Sequence, residues 1–467
     1  MRVKRVNQKK TVMNGFKWTE DPDIIQGYLR DASNIEGAAT QLFRPETPED
    51  VAEILCWCTR HEVPLTVSGC RTSTTGSATP IGGAILSMEF FNTIHSVSEV
   101  DANVLLGAYQ HYLESRQVCF PPDPTSRHEC SIGGAISCNA SGARSFYFGS
   151  IRSWVDAVEV VFPTGEIRIV DRQTPFPSNW PSVSWTLPRV KTSAGYQSCD
   201  NLLDLLIGQE GTLGVITKAW LRTIPSFEVN TVLVFFNTRQ DCLHCAHLVR
   251  EQSQKDEIRV YSVEYFDRNA IGFMTCRLPH IPEAACGLII EFDEENMSSL
   301  LNILECSNAL LEYTMLEEST VGQRIVQQAR HAIPAGINEQ LVRNNMPKVG
   351  TDFAVPFERL SWMMDAYDEV DLPKVLFGHI GDAHLHLNML PRTASELEYA
   401  RELYVELARI ALSYGGTVSA EHGIGKIKRQ LLAEMVGLET IRTFQDLKKV
   451  VDPAWILGRG NIFDRLL

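Results

Sequence analysis

The sequence lacks several features that would assign it quickly to a protein class. No apolar run approaches the roughly 18 residues that a membrane-spanning helix needs. No GxGxxG dinucleotide turn and no GxxxxGK[ST] phosphate loop is present. The closely spaced cysteines of an iron–sulfur site are missing as well. The chain therefore gives no signal for a membrane span, a Rossmann dehydrogenase, a P-loop nucleotidase or a built-in iron–sulfur centre.

An excess of positive charge is also missing. The formal net charge is -14 over 467 residues, which argues against nucleic acid and anionic membrane surfaces as partners. An anionic substrate would therefore need a site that is locally positive. The hydrophobic fraction of 44% and the charged fraction of 21% are ordinary for a globular enzyme. The length suggests two or three domains.

The cysteines do not form a disulfide framework. The 12 cysteines are scattered, and Cys242 and Cys245 form a lone CxxC without a second pair. This pattern favours a structural role over zinc or redox chemistry and predicts a reducing, cytoplasmic location. The segment Met1–Lys17 is basic, has no apolar core and precedes the first acid, Glu20. We expect a frayed basic tail there rather than a secretory signal, with a transit peptide as the alternative.

Two stretches near the C-terminus, Phe377–Asn388 and Ser419–Lys426, concentrate residues that can carry chemistry. Together they contain four histidines, a glutamate and an asparagine in a short span. Side chains alternate between the two faces of a β-strand. His384, His386 and Asn388 would therefore share one face if this stretch is a strand.

A metal site is one interpretation of these histidines. His379 is seven positions from His386 and would point to the other face, but the turn-forming pair Gly381–Asp382 can reset the alternation. His379, His386 and Glu421 would then form a three-ligand set with an open position, which is the catalytic pattern. The alternative is a half-buried strand with incidental histidines, and the spacing alone does not decide between them. For a metal site we expect the affinity to fall below roughly pH 6, because neutral imidazole is the binding form.

Regular elements are predicted around two small-residue loops. Residues 45–63 are predicted to form a helix that Thr47 caps, and Trp154–Val170 is predicted to form a hairpin. A further helix is predicted from Ser395 to Tyr414, with a capping box that begins at Ser395. The loops Ser68–Ser77 and Ser131–Gly142 expose many backbone N–H groups, which suits a phosphate or pyrophosphate.

Taken together and in this order, the motifs resemble the FAD-binding vanillyl-alcohol-oxidase flavoprotein superfamily. The chain is most similar to its D-lactate dehydrogenase, D-2-hydroxyglutarate dehydrogenase and glycolate oxidase FAD-subunit group. The resemblance covers nearly the whole chain from about Gln41. The segments that carry it are Ser68–Pro80, Phe120–Ser126, Ser131–Gly142, Phe148–Ser150, Lys191–Tyr196, Gly208–Thr217, Gly378–Asn388, Ser419–Gly425 and Asp452–Phe463.

The resemblance implies an α+β fold in three parts. Residues 1–226 would form a PCMH-type FAD-binding domain of two α/β subdomains. Residues 227–414 would form a ferredoxin-like cap with an antiparallel sheet, which binds the substrate. Residues 415–467, a helical segment, would complete the metal site and return to the FAD domain.

The resemblance also implies a set of functional residues. His379, His386 and Glu421 would bind a divalent metal, with zinc favoured over manganese, cobalt or iron. His422 would be the general base. Arg330, Lys348 and Asn388 would bind the substrate. The cofactor contacts would come from Ser68, Gly69, Cys70, Arg71, Thr72, Ser73, Pro122, Asp123, Ser131, Gly133, Gly134, Asn139, Ser141, Gly142, Glu210, Gly211, Gly214, Ile216 and Asn461.

We expect the FAD to be bound without a covalent link. Covalent members of the superfamily use a histidine in the first glycine-rich loop, and Ser68–Pro80 contains none. Cys70 and Cys130 leave a thioether link as an alternative. The sequence departs from the family pattern at Cys70–Arg71, Gln209, Pro334 and Ala383–His384. These departures bear on the substrate more than on FAD binding.

The implied activity is the oxidation of a D-2-hydroxy acid, with a lactate-like or glycolate-like acid favoured because Pro334 removes a hydrogen-bonding side chain found in some relatives. A separate acceptor would reoxidise the flavin, namely a quinone, an electron-transfer protein or oxygen. A homodimer or a subunit of a complex is possible. Two rivals stay open: a non-catalytic flavin subunit and a transferase similar to ether-lipid synthases. Both would be expected to lose the metal-binding residues that this sequence keeps.

Overall fold

The computed structural model describes residues 16–198, 200–278, 280–317 and 320–465. Residues 1–15 of the predicted basic tail lie outside the described residues. The strands are β1 (Lys17–Thr19), β2 (Gln41–Arg44), β3 (Leu65–Ser68), β4 (Ala84–Ser87), β5 (Glu99–Asp101), β6 (Val118–Cys119), β7 (Val155–Val161), β8 (Ile167–Asp171), β9 (Val215–Leu221), β10 (Ile224–Pro225), β11 (Asn230–Phe236), β12 (Val260–Asp267), β13 (Cys286–Phe292), β14 (Met315–Glu317), β15 (Val349–Gly350), β16 (Phe353–Ala354), β17 (Lys374–His379) and β18 (His384–Met389). The helices are α1 (Pro22–Ile25), α2 (Pro48–His61), α3 (Leu106–Glu114), α4 (Ile132–Ser137), α5 (Ser145–Phe148), α6 (Leu202–Leu206), α7 (Arg239–Gln254), α8 (Arg268–Met274), α9 (Met297–Cys306), α10 (Thr320–Asn344), α11 (Leu360–Asp368), α12 (Ala394–Ser413), α13 (Arg429–Val436) and α14 (Leu438–Val451).

The N-terminal half contains two four-stranded sheets. The first has the order β1-β2-β4-β3, in which β1 is antiparallel to β2 and β4 is parallel to both β2 and β3. The second is an antiparallel sheet of order β5-β9-β7-β8, in which the predicted hairpin forms β7 and β8. Helix α2 contacts β7 and β8, so it packs between the two subdomains. These features confirm the expected α+β class.

A larger antiparallel sheet dominates the second half. Its order is β14-β11-β13-β12-β17-β18-β15, and β16 also pairs with β18. Strands β11 and β13 are almost wholly buried, as their continuous apolar sequence predicts. The central position of β12 and β17 brings polar residues of both strands into the interior of the molecule.

The C-terminal segment folds back on the first subdomain. The backbone N–H of Leu65 donates to the carbonyl oxygen of Ile456 (2.8 Å), and Leu65 also bridges Leu457 in parallel. The side-chain amide of Asn461 donates to the carbonyl oxygens of Ser77 and Glu210, both at 2.9 Å. The tail therefore holds two loops of the N-terminal half in place.

The predicted N-terminal cap is confirmed for one helix and is wrong for another. Helix α2 begins as expected, because Thr47 and Asp50 form a reciprocal capping box. For helix α12 the predicted cap at Ser395 is wrong. The N-cap is Thr393, whose hydroxyl accepts from the backbone N–H of Glu396, two residues earlier than predicted.

Candidate active site

A tight hairpin between β17 and β18 brings the histidines together. His379 ends β17 and pairs with His384, while His386 pairs with Phe377. The connection is one turn of 3₁₀ helix, Ile380–Asp382, followed by Ala383 with a left-handed φ of 51°. This irregular turn resets the alternation of side chains, as the sequence predicted.

Glu421 meets two of these rings from the C-terminal segment. Its Oε2 lies 3.4 Å from Nε2 of His379, and its Oε1 lies 3.3 Å from Nε2 of His386. One donor atom from each of four residues, His379, His384, His386 and Glu421, lies within 4.8 Å of the other three. The structure thus brings together the three ligands predicted from sequence and adds His384, which the prediction did not include.

The Nδ1 nitrogens of two rings are held by acceptors from other segments of the chain. Nδ1 of His379 contacts Oε1 of Glu264 on β12. Nδ1 of His386 lies 2.9 Å from the carbonyl oxygen of Thr351. Such contacts fix the orientation of an imidazole and leave its other nitrogen for a metal. Here the remaining Nε2 atoms are the ones that face Glu421.

The charges in this cluster shift several pKa values. Burial alone would lower the pKa of His379, but the carboxylates of Glu264 and Glu421 outweigh it and raise that pKa to about 9. Burial would raise the pKa of Glu421, but Lys191 and His379 hold it well below the usual range. The buried carboxylate and its cationic neighbours therefore form a charge-balanced group, as buried charges require.

Lys191 links this group to the N-terminal half. Its Nζ lies 3.0 Å from Oε2 of Glu421 and 3.7 Å from Oδ2 of Asp382, and the hydroxyl of Ser145 also donates to Asp382. A cavity of about 300 Å³ borders Lys191 and Asp382. Two more cations, Arg189 and Arg250, line that cavity. The space beside the cluster is therefore locally positive on a chain of net charge -14.

Asp352 organises the backbone that carries Glu421 and His422. This carboxylate is buried and accepts from the backbone N–H groups of both residues, at 3.2 and 3.1 Å. It also accepts from the Ser419 hydroxyl (2.9 Å) and from Nζ of Lys428 (2.6 Å). Consecutive side chains diverge in regular structure, so these contacts explain how Glu421 and His422 can serve one site.

His422 borders the cluster without being enclosed by it. Its side chain is 36% exposed, its Nδ1 lies 3.4 Å from Oδ2 of Asp352, and its Nε2 lies 3.5 Å from Oε1 of Glu421. Burial lowers the pKa of His422 despite the two carboxylates. The ring is therefore accessible, and its lowered pKa favours the neutral form that a general base requires.

The three residues predicted to bind substrate lie in different surroundings. Nε of Arg330 donates to Oε2 of Glu264 (2.8 Å), so the arginine is tied to the carboxylate behind His379. Asn388 is buried and its amide donates to the carbonyl oxygen of His386 (3.1 Å). Lys348 is exposed and lies two residues before Gly350, which pairs with Asn388. Asn388 lies in β18 and Arg330 is linked to His379 through Glu264, but within the described residues no hydrogen bond or ion pair joins the three side chains.

Comparison with known proteins identifies the chain. The family model described as "FAD linked oxidases, C-terminal domain" matches residues 226–462, which is half of the chain. The model described as "FAD binding domain" matches residues 39–171. The chain belongs to the FAD-linked oxidase family. It is therefore an FAD-dependent oxidoreductase.

Relatives of this FAD-linked oxidase are similar over nearly their whole length. A D-lactate dehydrogenase from Anaerostipes hadrus is 28% identical over 478 residues, covering 96% of this chain and 93% of that enzyme. A D-2-hydroxyglutarate dehydrogenase from Xanthomonas citri pv. viticola is 28% identical, covering 90% and 88%. The glycolate oxidase subunit GlcD of Bacillus subtilis is 27% identical, also covering 90% and 88%. A solved alkyldihydroxyacetonephosphate synthase has a TM-score of 0.67 at 15% identity, covering 94% of this chain and 81% of that one, which shows a shared fold.

The cofactor loops of this FAD-linked oxidase suit a bound pyrophosphate. The backbone N–H groups of residues 70–74 donate to no other residue in the part of the chain that the structure describes. The hydroxyl of Ser141 is buried and has no partner there either. A Cβ on Gly69 would lie 2.9 Å from the hydroxyl of Ser131, and a Cβ on Gly142 would lie 2.2 Å from the carbonyl oxygen of Asp123. The loops are therefore closely packed, with free donors, and fit the diphosphate of FAD.

Several predicted cofactor residues brace these loops. Glu210 accepts from the backbone N–H groups of Ile424 and Gly425, both at 2.7 Å, and from the hydroxyl of Ser77 at 2.8 Å. A Cβ on Gly214 would lie 2.6 Å from a methyl group of Val160. Direct contact of these residues with FAD stays a prediction.

The remaining residues predicted to contact FAD also stay predictions. They are Ser68, Cys70, Arg71, Thr72, Ser73, Pro122, Gly133, Gly134, Asn139, Gly211, Ile216 and Asn461.

Sequence reasoning missed three residues that shape the site of this FAD-linked oxidase. Glu264 is an acid in the middle of the buried strand Val260–Asp267, and a buried charge requires a partner, which is a usable signal. Asp352 and Lys191 lie in segments that match the family, but their roles depend on long-range contacts that spacing does not reveal. Among the described residues, no helix combines the length and the apolarity needed to cross a bilayer.

Proposed function

We propose that this FAD-linked oxidase oxidises a small D-2-hydroxy acid to the corresponding 2-oxo acid, with a divalent metal at the histidine cluster. The observation that carries the proposal is the convergence of His379, His386 and Glu421 beside the accessible base His422. The curated relatives are named for D-lactate, D-2-hydroxyglutarate and glycolate, which are all 2-hydroxy acids. Their similarity supports the class of substrate and leaves the individual acid open.

The donor set supports a metal at this site. Two Nε2 atoms face Glu421 at 3.3 and 3.4 Å, while their Nδ1 atoms are anchored elsewhere. Donor atoms around one ion with bonds of about 2.1 Å lie roughly 3–4 Å apart, so these separations fit a shared ion. When bound, a divalent ion would polarise the substrate hydroxyl and favour loss of its proton.

The protein groups would then divide the remaining work. His422 accepts the hydroxyl proton, and Asp352 holds the backbone on which His422 sits. Arg330, Lys348 and Asn388 are proposed to orient the substrate carboxylate, with Arg330 supplying planar donors. The locally positive surroundings of Lys191 support an anionic substrate on an acidic chain. FAD, held without a covalent link, supplies the hydride acceptor.

Pro334 supports a small or apolar-tailed acid. It lies one helical turn beyond Arg330 within α10, where it offers no side-chain donor or acceptor for a second carboxylate. Reoxidation of the flavin is proposed to need a separate partner, namely a quinone, an electron-transfer protein or oxygen. The domain limits 1–226, 227–414 and 415–467 and a cytoplasmic location also stay proposals, as does assembly into a dimer or a larger complex.

The test is anaerobic mixing of the FAD-loaded protein with D- and L-2-hydroxy acids and with plain alcohols of similar size. We expect the long-wavelength flavin absorbance to bleach with one or more D-2-hydroxy acids and to persist with plain alcohols. Bleaching by none of the acids would contradict the proposal and favour a non-catalytic flavin subunit.

A further inference from the structure

His384 is the one member of the histidine cluster to which the proposed metal site gives no role. It begins β18, pairs with His379 across the hairpin and with Ala354 on the other side. Its side chain is fully buried, at 0% exposure. Its ring centroid lies 4.4 Å from that of His386 and 5.4 Å from that of His379. His384 therefore shares the interior face on which the two predicted ligands lie.

Nδ1 of His384 has no hydrogen-bond partner within the described part of the chain. Nε2 lies 3.1 Å from Oδ1 of Asp352. The carboxylate of Asp352 already accepts from the Ser419 hydroxyl and from Lys428. A buried polar group without a partner destabilises the folded protein, so a ligand for the unpartnered nitrogen of His384 would remove an unfavourable term.

We infer that His384 is a fourth protein ligand of the metal, so that the site is built from three imidazoles and one carboxylate. This inference rests on the proposed function. Its geometric basis is that one donor atom of His384 lies within 4.8 Å of those of His379, His386 and Glu421. The unpartnered ring nitrogen would supply the lone pair that binds the metal. The contact with Asp352 helps to hold the ring beside the other three residues of the cluster.

A fourth protein ligand changes which ions suit the site. Four-coordinate zinc with four protein ligands is a closed, structural arrangement, whereas catalytic zinc keeps a position open. A site that holds four protein ligands and still admits a hydroxy acid needs an ion that accepts five or six ligands. Manganese, iron and cobalt as divalent ions meet that requirement, and imidazole is a good ligand for iron and cobalt. The zinc preference expected from a three-ligand set is therefore replaced by a preference for these ions.

The experiment counts histidine ligands directly. The FAD-loaded protein is stripped of metal, reconstituted with one equivalent of Co²⁺ and measured by X-ray absorption at the cobalt edge, where bound imidazoles give a distinctive scattering pattern. We expect three imidazoles in the wild-type protein and two in the H384N variant. The H386N variant is the matched control, because it should also lose one imidazole.

Affinity provides a second readout that does not depend on turnover. In competition with a chelator, H384N should bind Co²⁺ at least about tenfold more weakly than wild type, since losing even an outer-shell partner of a ligand costs 10–100-fold. Two imidazoles in the wild-type protein, or equal affinities in wild type and H384N, would overturn the role of His384 and leave the proposed function standing. No cobalt binding by wild type would overturn both. If H384N fails to fold, the imidazole count of the wild-type protein decides alone.

Discussion

Replacing Glu264 by glutamine tests whether the carboxylate behind His379 tunes the proposed metal site. Glu264 is buried on β12, accepts from Arg330 at 2.8 Å and contacts Nδ1 of His379. The E264Q change keeps the shape of the side chain and removes its charge. His379 would keep at most a neutral amide acceptor and would lose the carboxylate charge that makes it a stronger ligand.

E264Q should affect two measurable quantities, the metal affinity and the free energy of unfolding. Loss of an outer-shell partner of a metal-bound histidine typically weakens metal binding about 10–100-fold, which is roughly 1.4–2.7 kcal/mol. Leaving the half-buried Arg330 without its partner should lower the free energy of unfolding by about 3 kcal/mol. This is the lower end of the roughly 3–5 kcal/mol that breaking a buried ion pair costs, and it applies because Glu291 would still interact with Arg330.

The matched control is Glu291→Gln on the neighbouring strand β13. Glu291 is half-buried and paired with an arginine, Arg144, at 2.8 Å, but it contacts none of the four cluster residues in the described structure. Both variants should lose similar stability in denaturant titrations. Only E264Q should lose metal affinity, measured by equilibrium dialysis at buffered free metal followed by elemental analysis. Wild-type affinity in E264Q, or an equal loss in E291Q, would refute the assignment.

Three further outcomes are expected. His422→Asn should slow anaerobic flavin reduction by about 10²–10⁴-fold while FAD and metal stay bound, and an equal rate loss in His384→Asn with its metal restored would show that the base is wrongly assigned. Arg330→Met should raise the half-saturating substrate concentration and lower the limiting rate of bleaching, each about 10–100-fold, and Arg330→Lys should be intermediate. If both quantities keep their wild-type values in Arg330→Met, the carboxylate site lies elsewhere. The pKa of His379 is about 9 without metal, and metal binding must displace the proton of its ring. The apparent metal affinity should therefore rise about tenfold per pH unit from pH 6 to 9 and then level off. A flat affinity profile in dialysis would contradict this.

The hairpin that carries the histidines was predictable because its signals are local. Residue alternation in β18 and the turn at Gly381–Asp382 were enough to expect that His379 and His386 converge. The cap of α2 was equally local, since Thr47 and Asp50 are three residues apart. The cap of α12 was misassigned because Thr393 and Ser395 both suit the position, and only the backbone conformation distinguishes them.

The surroundings of the site were not predictable from spacing. Lys191 is 230 residues from Glu421, and Glu264 is 115 residues from His379, so each pair depends on long-range contacts, in the second case on the pairing of β12 with β17. The expected decline of metal affinity below pH 6 used an unperturbed histidine. The buried carboxylates Glu264 and Glu421 raise the pKa of His379 to about 9, so the decline of metal affinity should begin below about pH 9.

The central claim is that a divalent metal at His379, His386 and Glu421 is needed for substrate oxidation but not for FAD binding. The most direct measurement is anaerobic bleaching of the flavin by the best D-2-hydroxy acid, before and after exhaustive chelation and after metal is restored. The account predicts that the chelated protein keeps its FAD, loses most of its bleaching rate and recovers it with added metal. Bleaching at an unchanged rate after chelation would contradict the account.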